Sequence, residues 1–346
     1  MPEKDLWPQL PPHVSFPEEW EHIASHGVGK FVTRVLHRLP SGHIHIWTSR
    51  RHRKRRGGVI HDGSSKLAQS DSGRLDVQAV HQETRGKPRS WKWWGWRLKS
   101  LSWWLGLIFF LGSICFVVGT VPVAFPVVLE WINLPPYNFG LVCFIGSVFF
   151  TFGSYLLLLE ALNADLDITL QMKAGHLERY LTGQPYIYPS IPRIRWIGWE
   201  PKRLDFLIAI VQLSGAIIFN INCGMALVEG MNWLWIDILV WTPSTLASCC
   251  FVTAGYLGIV EVAHRPWAWL LWDMTWWINW FSLLGSLGFL ISSLVGYFGQ
   301  GPIVLPQWFG NYFALMMGSW FFLASTYLLV PETLIEEKSS TVLESK

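Results

Sequence analysis

The class of fold follows from stretches such as FGLVCFIGSVFFTFGSYLLLLE, residues 139–160. Its only charged side chain is Glu160 at the last position, and a helix of about 20 apolar residues can cross a bilayer core. Five further stretches are long and apolar enough and contain no Lys or Arg: Leu101–Val121, Leu204–Val228, Pro243–Ala263, Trp276–Gly296 and Phe309–Val330. The sequence therefore predicts an all-α membrane protein with six transmembrane helices.

The composition of the whole chain agrees with this prediction. Of the 346 residues, 51% are hydrophobic and 15% are charged, whereas soluble domains carry about 25% charged residues. A soluble globular protein and a disordered chain are both excluded. The 23 Trp residues cluster near the ends of the predicted helices, mostly at one end, as expected for indoles that anchor helices at the headgroup level.

The basic residues predict the orientation in the membrane. The loops 122–138, 229–242 and 297–308 contain no Lys or Arg, so all 27 of these residues lie on the other side of the six helices. Because loops rich in Lys and Arg stay in the cytoplasm, both termini are predicted to be cytoplasmic.

The six predicted helices contain an internal sequence repeat. The even helices share a small pair, then Phe, Tyr and Glu at equal spacing, and the odd helices share a small pair followed by Phe. The repeated Phe residues are Phe116, Phe150, Phe219, Phe251, Phe289 and Phe322. The pattern predicts three parallel two-helix hairpins, over residues 91–162, 196–263 and 264–334, with a cytoplasmic loop at 163–195 and a tail at 335–346.

The candidate polar site combines repeated acids with amides inside the helices. Glu160, Glu261 and Glu332 end the even helices in register, and Asn220, Asn222 and Asn279 lie within odd helices. Two hypotheses stay open for the acids: a three-carboxylate ring that binds a cation or carries protons, and charges at helix ends that pair with nearby basic residues. Interhelical hydrogen bonds explain the amides, and the small pairs are interpreted as helix-packing contacts.

The N-terminal region is polar and basic. Residues 1–99 hold 18 of the 27 Lys and Arg residues but 9 of the 24 Asp and Glu residues. We divide this region into a basic cytoplasmic segment, residues 1–56, and a flexible, partly disordered linker, residues 57–90. Apolar residues at helical spacing predict an amphipathic helix over Pro17–Leu39, although Gly27 and Gly29 weaken it.

A basic run predicts the partners of this region. Anionic lipids are the predicted contact, with a protein partner as a further option, and nucleic acid is the weaker interpretation. The run consists of Arg50, Arg51, Arg53, Lys54, Arg55 and Arg56.

Motifs for catalysis and for cofactors are missing from the sequence. The chain has no nucleotide-binding loop, no serine-hydrolase motif and no zinc-protease or CxxC motif. The pair His43 and His45 lacks a third ligand nearby, so no metal site is predicted. We expect neither an enzyme nor a bound cofactor.

One family resemblance exists. The segment from Phe144 to Tyr155, followed by Glu160, resembles the small bacterial YrhK-like membrane domain, a two-helix hairpin with a Gly-Ser and Phe pattern. The resemblance implies a protein of the bacterial inner membrane and no established activity. Two hypotheses about function follow: a structural or interaction protein of that membrane, and a transporter or channel for an ion or small solute.

Overall fold

A computed structural model of the chain describes the membrane part and most of the basic segment. The described residues are 14, 16–54, 59–61, 93–133, 135–164, 194–298 and 308–334. Most of the predicted loop 163–195, the tail 335–346, most of the linker 57–90, and Arg55 and Arg56 lie outside these ranges.

Six long apolar helices dominate the structure and confirm the prediction of a multi-pass membrane protein. Each has 21 or more residues, which at 1.5 Å per residue reaches across the hydrocarbon core. They are α2 (Leu101–Ala124), α4 (Pro136–Leu162), α5 (Leu204–Met225), α7 (Thr242–Ala263), α8 (Met274–Phe298) and α9 (Ala314–Leu334).

Short helical segments connect them. The helix α3 (Pro126–Ile132) lies between α2 and α4, and the single turn α6 (Trp233–Ile236) precedes α7. Two π-helical stretches, Asp237–Trp241 and Trp308–Phe313, lead into α7 and α9. Asn222 donates to a backbone carbonyl in the first of these stretches, that of Val240, at 2.9 Å.

The six spanning helices form a closed ring. Each one packs against the next along the chain, and α9 packs against α2. Glycines permit the close approach, because a Cβ built on Gly112 would lie 3.0 Å from the carbonyl oxygen of Gly146, and one on Gly285 would lie equally close to that of Gly318. Such small residues hold helices together where lipid supplies no hydrophobic drive.

Phenylalanines fill the centre of the ring. One Phe from each spanning helix is buried there, and their ring centroids lie 5.1–6.4 Å from those of their neighbours. These residues, all from the predicted pattern, are Phe116, Phe150, Phe219, Phe251, Phe289 and Phe322. Packed aromatic rings therefore fill the middle of the bundle in the part that the structure describes.

Tryptophans form clusters at one end of the bundle. Trp96, Trp199 and Trp269 are each more than half exposed. Their rings lie 5.3, 5.7 and 5.5 Å from the fully buried rings of Trp103, Phe206 and Trp276, respectively. Exposed indoles backed by buried aromatic rings fit the predicted anchoring role.

A four-stranded antiparallel sheet precedes the membrane helices. Its strands are β1 (Glu21–Val28), β2 (Phe31–Arg38), β3 (Ile44–Thr48) and β4 (Val59–His61), paired in chain order. The five-residue helix α1 (Ser49–Arg53) follows β3 directly.

The prediction of an amphipathic helix over Pro17–Leu39 is wrong, because β1 and β2 occupy that segment. For the same reason the prediction of an all-α protein is wrong for this part of the chain. Gly29 has φ +56°, in the left-handed region, and with Lys30 it turns the chain between the two strands. Ile23, Val28 and other β-branched residues also favour strands. The linker prediction is wrong at Val59–His61, which pairs with β3.

The sheet docks on one end of the helix ring. Val28 and Phe31, beside the β1–β2 turn, pack against the cluster of Leu204, Ile208 and Val260 from α5 and α7. The Thr33 hydroxyl forms a 2.9 Å hydrogen bond with Nδ1 of His264, just after α7. We call this end of the bundle the sheet face and the opposite end the far face.

Candidate functional site

Three buried glutamates meet at the sheet face. Glu160, Glu261 and Glu332 lie in the last turns of α4, α7 and α9, and each is at most 4% exposed. A helix C-terminus carries partial negative charge, which disfavours a carboxylate there. Three such acids need positive charges or hydrogen-bond donors nearby in order to stay ionised and buried.

The helix α1 supplies those positive charges. Arg53 lies 3.3 Å from Glu261 and 3.6 Å from Glu160, measured between side-chain nitrogen and oxygen atoms. Arg50 lies 3.1 Å from Glu332, which also pairs with Lys54. Positions 50, 53 and 54 share one face of a helix, because they are three and four residues apart. One short helix thus contacts all three glutamates.

Hydroxyl groups complete the shell around the acids. Ser102 at the start of α2 donates to Glu160, Ser49 at the start of α1 donates to Glu261 at 3.0 Å, and Thr275 of α8 donates to Glu332 at 3.0 Å. Each glutamate therefore has at least one cation and one hydroxyl donor. A buried ion cluster is stable only when such additional hydrogen bonds accompany the charges.

Arg53 is the central cation of this site. Its side chain is 3% exposed. Burial by itself would lower the pKa of its guanidinium, but the carboxylates of Glu261, Glu160, Asp205 and Glu332 raise that pKa by more, so the net shift is upward. The guanidinium is positively charged at every pH at which the protein is folded.

A second ion cluster lies beside the first at the start of α5. Arg203 binds Asp205 with two hydrogen bonds, the shorter of 2.7 Å, and donates to the carbonyl of Ala161 at 2.8 Å. Its Nη1 donates to Glu200 at 2.7 Å. The cluster ties the end of α4 to the start of α5. The basic residues that pair with the repeated glutamates come from α1 and from Lys54 directly after it.

A small cavity lies between α1 and the phenylalanine core. Its volume is about 100 Å³. Polar residues line its end at the sheet face, among them Arg53, Glu160 and Glu261, and Gln212 and Asn279 line its wall. Phe109, Phe150 and Phe322 line it as well. The cavity is therefore bounded by a cationic helix on one side and by aromatic rings on the other.

The structure separates the amides that the sequence grouped together. Asn279 lines the cavity, but the other two do not. Asn220 donates to the Thr151 hydroxyl at 2.6 Å, and Asn222 to the carbonyl of Val240. Both are hydrogen bonds between different elements, as the packing interpretation expected.

The structure divides the predicted lipid-contact residues as well. Arg50, Arg53 and Lys54 contact the glutamates, and Arg53 and Lys54 are almost fully buried. Arg51 is half-buried on α1, and Arg55 and Arg56 lie outside the described residues. The sequence predicted the three glutamates and the basic run as separate candidates, but not the contact between them. The spacing of positions 50, 53 and 54 could have indicated that contact, because it places three cations on one helical face.

Comparison with known protein families, with curated proteins and with solved structures finds no match. The class of the protein therefore rests on its own geometry. It is a multi-pass membrane protein with six spanning helices and a small sheet on one face.

Proposed function

We propose that the chain is a non-enzymatic structural or interaction protein of the bacterial inner membrane. In this proposal the six helices are a rigid platform, and the sheet is the part presented to partners. The observation that carries the proposal is the ion cluster, in which all three glutamates at the sheet face hold α1 of the same chain. The solid phenylalanine core supports it, since a platform needs no path across the membrane.

The proposal includes a threefold internal repeat of one hairpin, related to YrhK-like hairpins. Equivalent glycines, phenylalanines and glutamates support it, because Gly112 meets Gly146 as Gly285 meets Gly318. It also places the sheet face in the cytoplasm, supported by the absence of Lys and Arg from the loops at the far face. The contact of Arg51, Arg55 and Arg56 with anionic lipids remains part of the proposal.

Transport is the second candidate. The cavity behind α1 favours it, because carboxylates and amides line a space between α1 and the phenylalanine core. A transporter would have to release α1 from the glutamates and separate the phenylalanine rings. The closed aromatic core favours the platform over this alternative.

Flux through reconstituted protein distinguishes the two functions. We expect no K⁺, Na⁺ or H⁺ flux in proteoliposomes, either for the natural chain or for the variant R50Q/R53Q/K54Q, because the phenylalanine core stays closed. An ionophore such as valinomycin verifies that the vesicles are sealed. Cation flux in the natural chain would contradict the platform, and flux only in the variant would favour a transporter that α1 blocks.

A further inference from the structure

The cavity between α1 and the phenylalanine core contains polar groups that have no partner among the described residues. Gln212 of α5 and Asn279 and Ser282 of α8 line its wall. Asn279 donates from Nδ2 to the carbonyl of Thr275 at 2.8 Å. Its Oδ1, the whole carboxamide of Gln212 and the hydroxyl of Ser282 make no hydrogen bond in the described part of the chain, and packing does not seal them off from accessible space. Such groups inside a membrane protein indicate a site for a ligand or for water.

The sequence explains why a polar cavity lies at this place. In the proposed repeat, Gln212 and Ser282 occupy the position of Phe109, at the offsets that relate the repeated glycines. Gly258 occupies a position at which the other two hairpins have Leu, and a Cβ there would collide with Oδ1 of Asn279. Large apolar side chains of one hairpin therefore correspond to smaller or polar ones in another, and all of these positions line the cavity.

The charges around the cavity favour an uncharged ligand. The charged side chains at its sheet-face end pair with one another, because Arg53 lies beside Glu160 and Glu261 and its neighbours on α1 pair with the third glutamate. An added ion would bring a further charge into the bundle, and burying a charge without a partner is strongly unfavourable. The groups that remain for a ligand are the amides, the Ser282 hydroxyl and the aromatic rings.

The volume of the cavity, about 100 Å³, limits the size of the ligand. A cavity of about 150 Å³ admits benzene, which has six non-hydrogen atoms, so this one admits about four. Phe109, Phe150 and Phe322 line the cavity as well and suit an apolar end of the ligand, whereas the unpartnered amides and hydroxyl suit a polar end. The cavity therefore fits a very small molecule with one apolar and one polar end.

From these observations we infer that the cavity binds a small uncharged carboxamide. A carboxamide has two N–H donors and a carbonyl oxygen with two lone pairs. Its donors match in number the unpartnered oxygens of Gln212 and Asn279, and its carbonyl matches the donors of Gln212 and Ser282. A ketone of the same size leaves the oxygens unpaired, which is unfavourable in a buried site. The site goes beyond the platform function and does not depend on it, because a closed core can hold a ligand without transporting it.

Saturation-transfer NMR of the full chain in detergent tests this inference, with acetamide as the probe. A molecule of about four non-hydrogen atoms binds weakly, so we expect a Kd of about 0.1–10 mM. Acetone and acetate are equally small, but acetone has no N–H donor and acetate is charged. Both should bind about fivefold or more weakly than acetamide, because acetone leaves acceptors unpaired and acetate adds a buried charge.

Three variants test the location of the site. Q212L removes the carboxamide at nearly constant side-chain size and should weaken acetamide binding about fivefold or more. S282F introduces the side chain that the first hairpin has at this position, so it should fill the cavity, abolish binding and leave the thermal stability unchanged or higher. The matched control S214F makes the same change at an exposed position of α5 and should bind acetamide as the natural chain does.

The outcomes decide the proposal even if a variant fails to fold, because the three probes are compared on the natural chain alone. Equal saturation transfer to acetamide in the natural chain, Q212L and S282F would overturn the site. No transfer to acetamide in the natural chain would mean that the cavity holds water only. Tighter binding of acetate than of acetamide would indicate an anion site at the cations of α1, and would overturn the uncharged ligand.

Discussion

Some side chains of this protein are charged and buried, although burying a charge is unfavourable unless it is paired. Arg53 is fully buried, yet it lies among carboxylates from four helices that are distant from it in sequence. Removing one partner of such a cluster costs about 3–5 kcal/mol, since the remaining charge stays buried without compensation. The exposed pair of Arg38 and Glu21 has a much smaller effect, about 0–1 kcal/mol. The effect of an arginine on the free energy of unfolding therefore depends on how deeply its ion pair is buried, and not on how many ion pairs the protein has.

His37 and His45 of the sheet are also buried, but among the described residues no acid raises the pKa of either imidazole. Burial lowers the pKa of His37 to about 4, with a contribution from His22, and the pKa of His45 to about 3, with contributions from His37 and Arg51. The ring of Phe16 lies 4.3 Å from that of His37, and the ring of Trp20 lies 4.8 Å from that of His45. Both imidazoles are therefore neutral in the folded sheet at neutral pH.

This arrangement predicts that acid weakens the sheet. Between pH 6.5 and about 4 the unfolded segment binds protons that the folded sheet does not, so the free energy of unfolding falls as the pH falls. Hydrogen–deuterium exchange of β2 and β3, corrected for the intrinsic rate at each pH, should show less protection at pH 5 than at pH 7. H45F should reduce this difference and H43Q should not. Equal protection at both pH values would contradict the assignment of neutral buried imidazoles.

Whole elements differ in how well the sequence predicts them. The six spanning helices were predicted to within a few residues, because a long apolar run in a bilayer has only one way to pair its backbone. The segment Glu21–Arg38 was misjudged, since a short amphipathic run fits helical and strand spacing alike. Only Gly29, with its positive φ, and the β-branched residues favoured the hairpin. The pairing with β3 and β4 depends on contacts that local periodicity cannot reveal.

Close helix packing gives a prediction at the scale of elements. A Cβ on Gly285 would lie 2.8 Å from the ring of Phe322 and 3.0 Å from the carbonyl oxygen of Gly318. G285A should therefore push α8 and α9 apart and destabilise the bundle by about 1–3 kcal/mol. At Gly224 the nearest atom is 3.4 Å away, so G224A is the matched control. In detergent, G285A should unfold at a lower temperature than G224A. Equal unfolding midpoints would show that α8 and α9 do not pack closely at Gly285.

At the scale of the whole molecule, the site joins two regions that the sequence treated separately. The three glutamates and the basic run were both predicted as candidates, the first by their register and the second by its charge. Their contact was not predicted, because more than 100 residues separate Arg53 from Glu160 and more than 200 separate it from Glu261. Of the two hypotheses for the acids, charges at helix ends that pair with basic residues fit the structure, with α1 as the partner.

The central claim is that Glu160, Glu261 and Glu332 hold α1 and the sheet on the helix bundle. Its most direct test is crosslinking between the sheet and α7. The variant T33C/H264C, in a background without the five native cysteines, places two thiols where the side chains of the natural chain are 2.9 Å apart. A short thiol crosslinker that cannot cross membranes is added to inverted vesicles and, separately, to intact cells.

We expect efficient crosslinking in inverted vesicles only, since the proposed orientation places the sheet face in the cytoplasm. Adding E160Q/E261Q/E332Q should lower the yield several-fold at unchanged membrane insertion, because Arg53 loses its buried counter-ions. The control E130Q/E229Q neutralises two exposed glutamates and should leave the yield unchanged. An equal yield with and without the three buried glutamates would contradict the account.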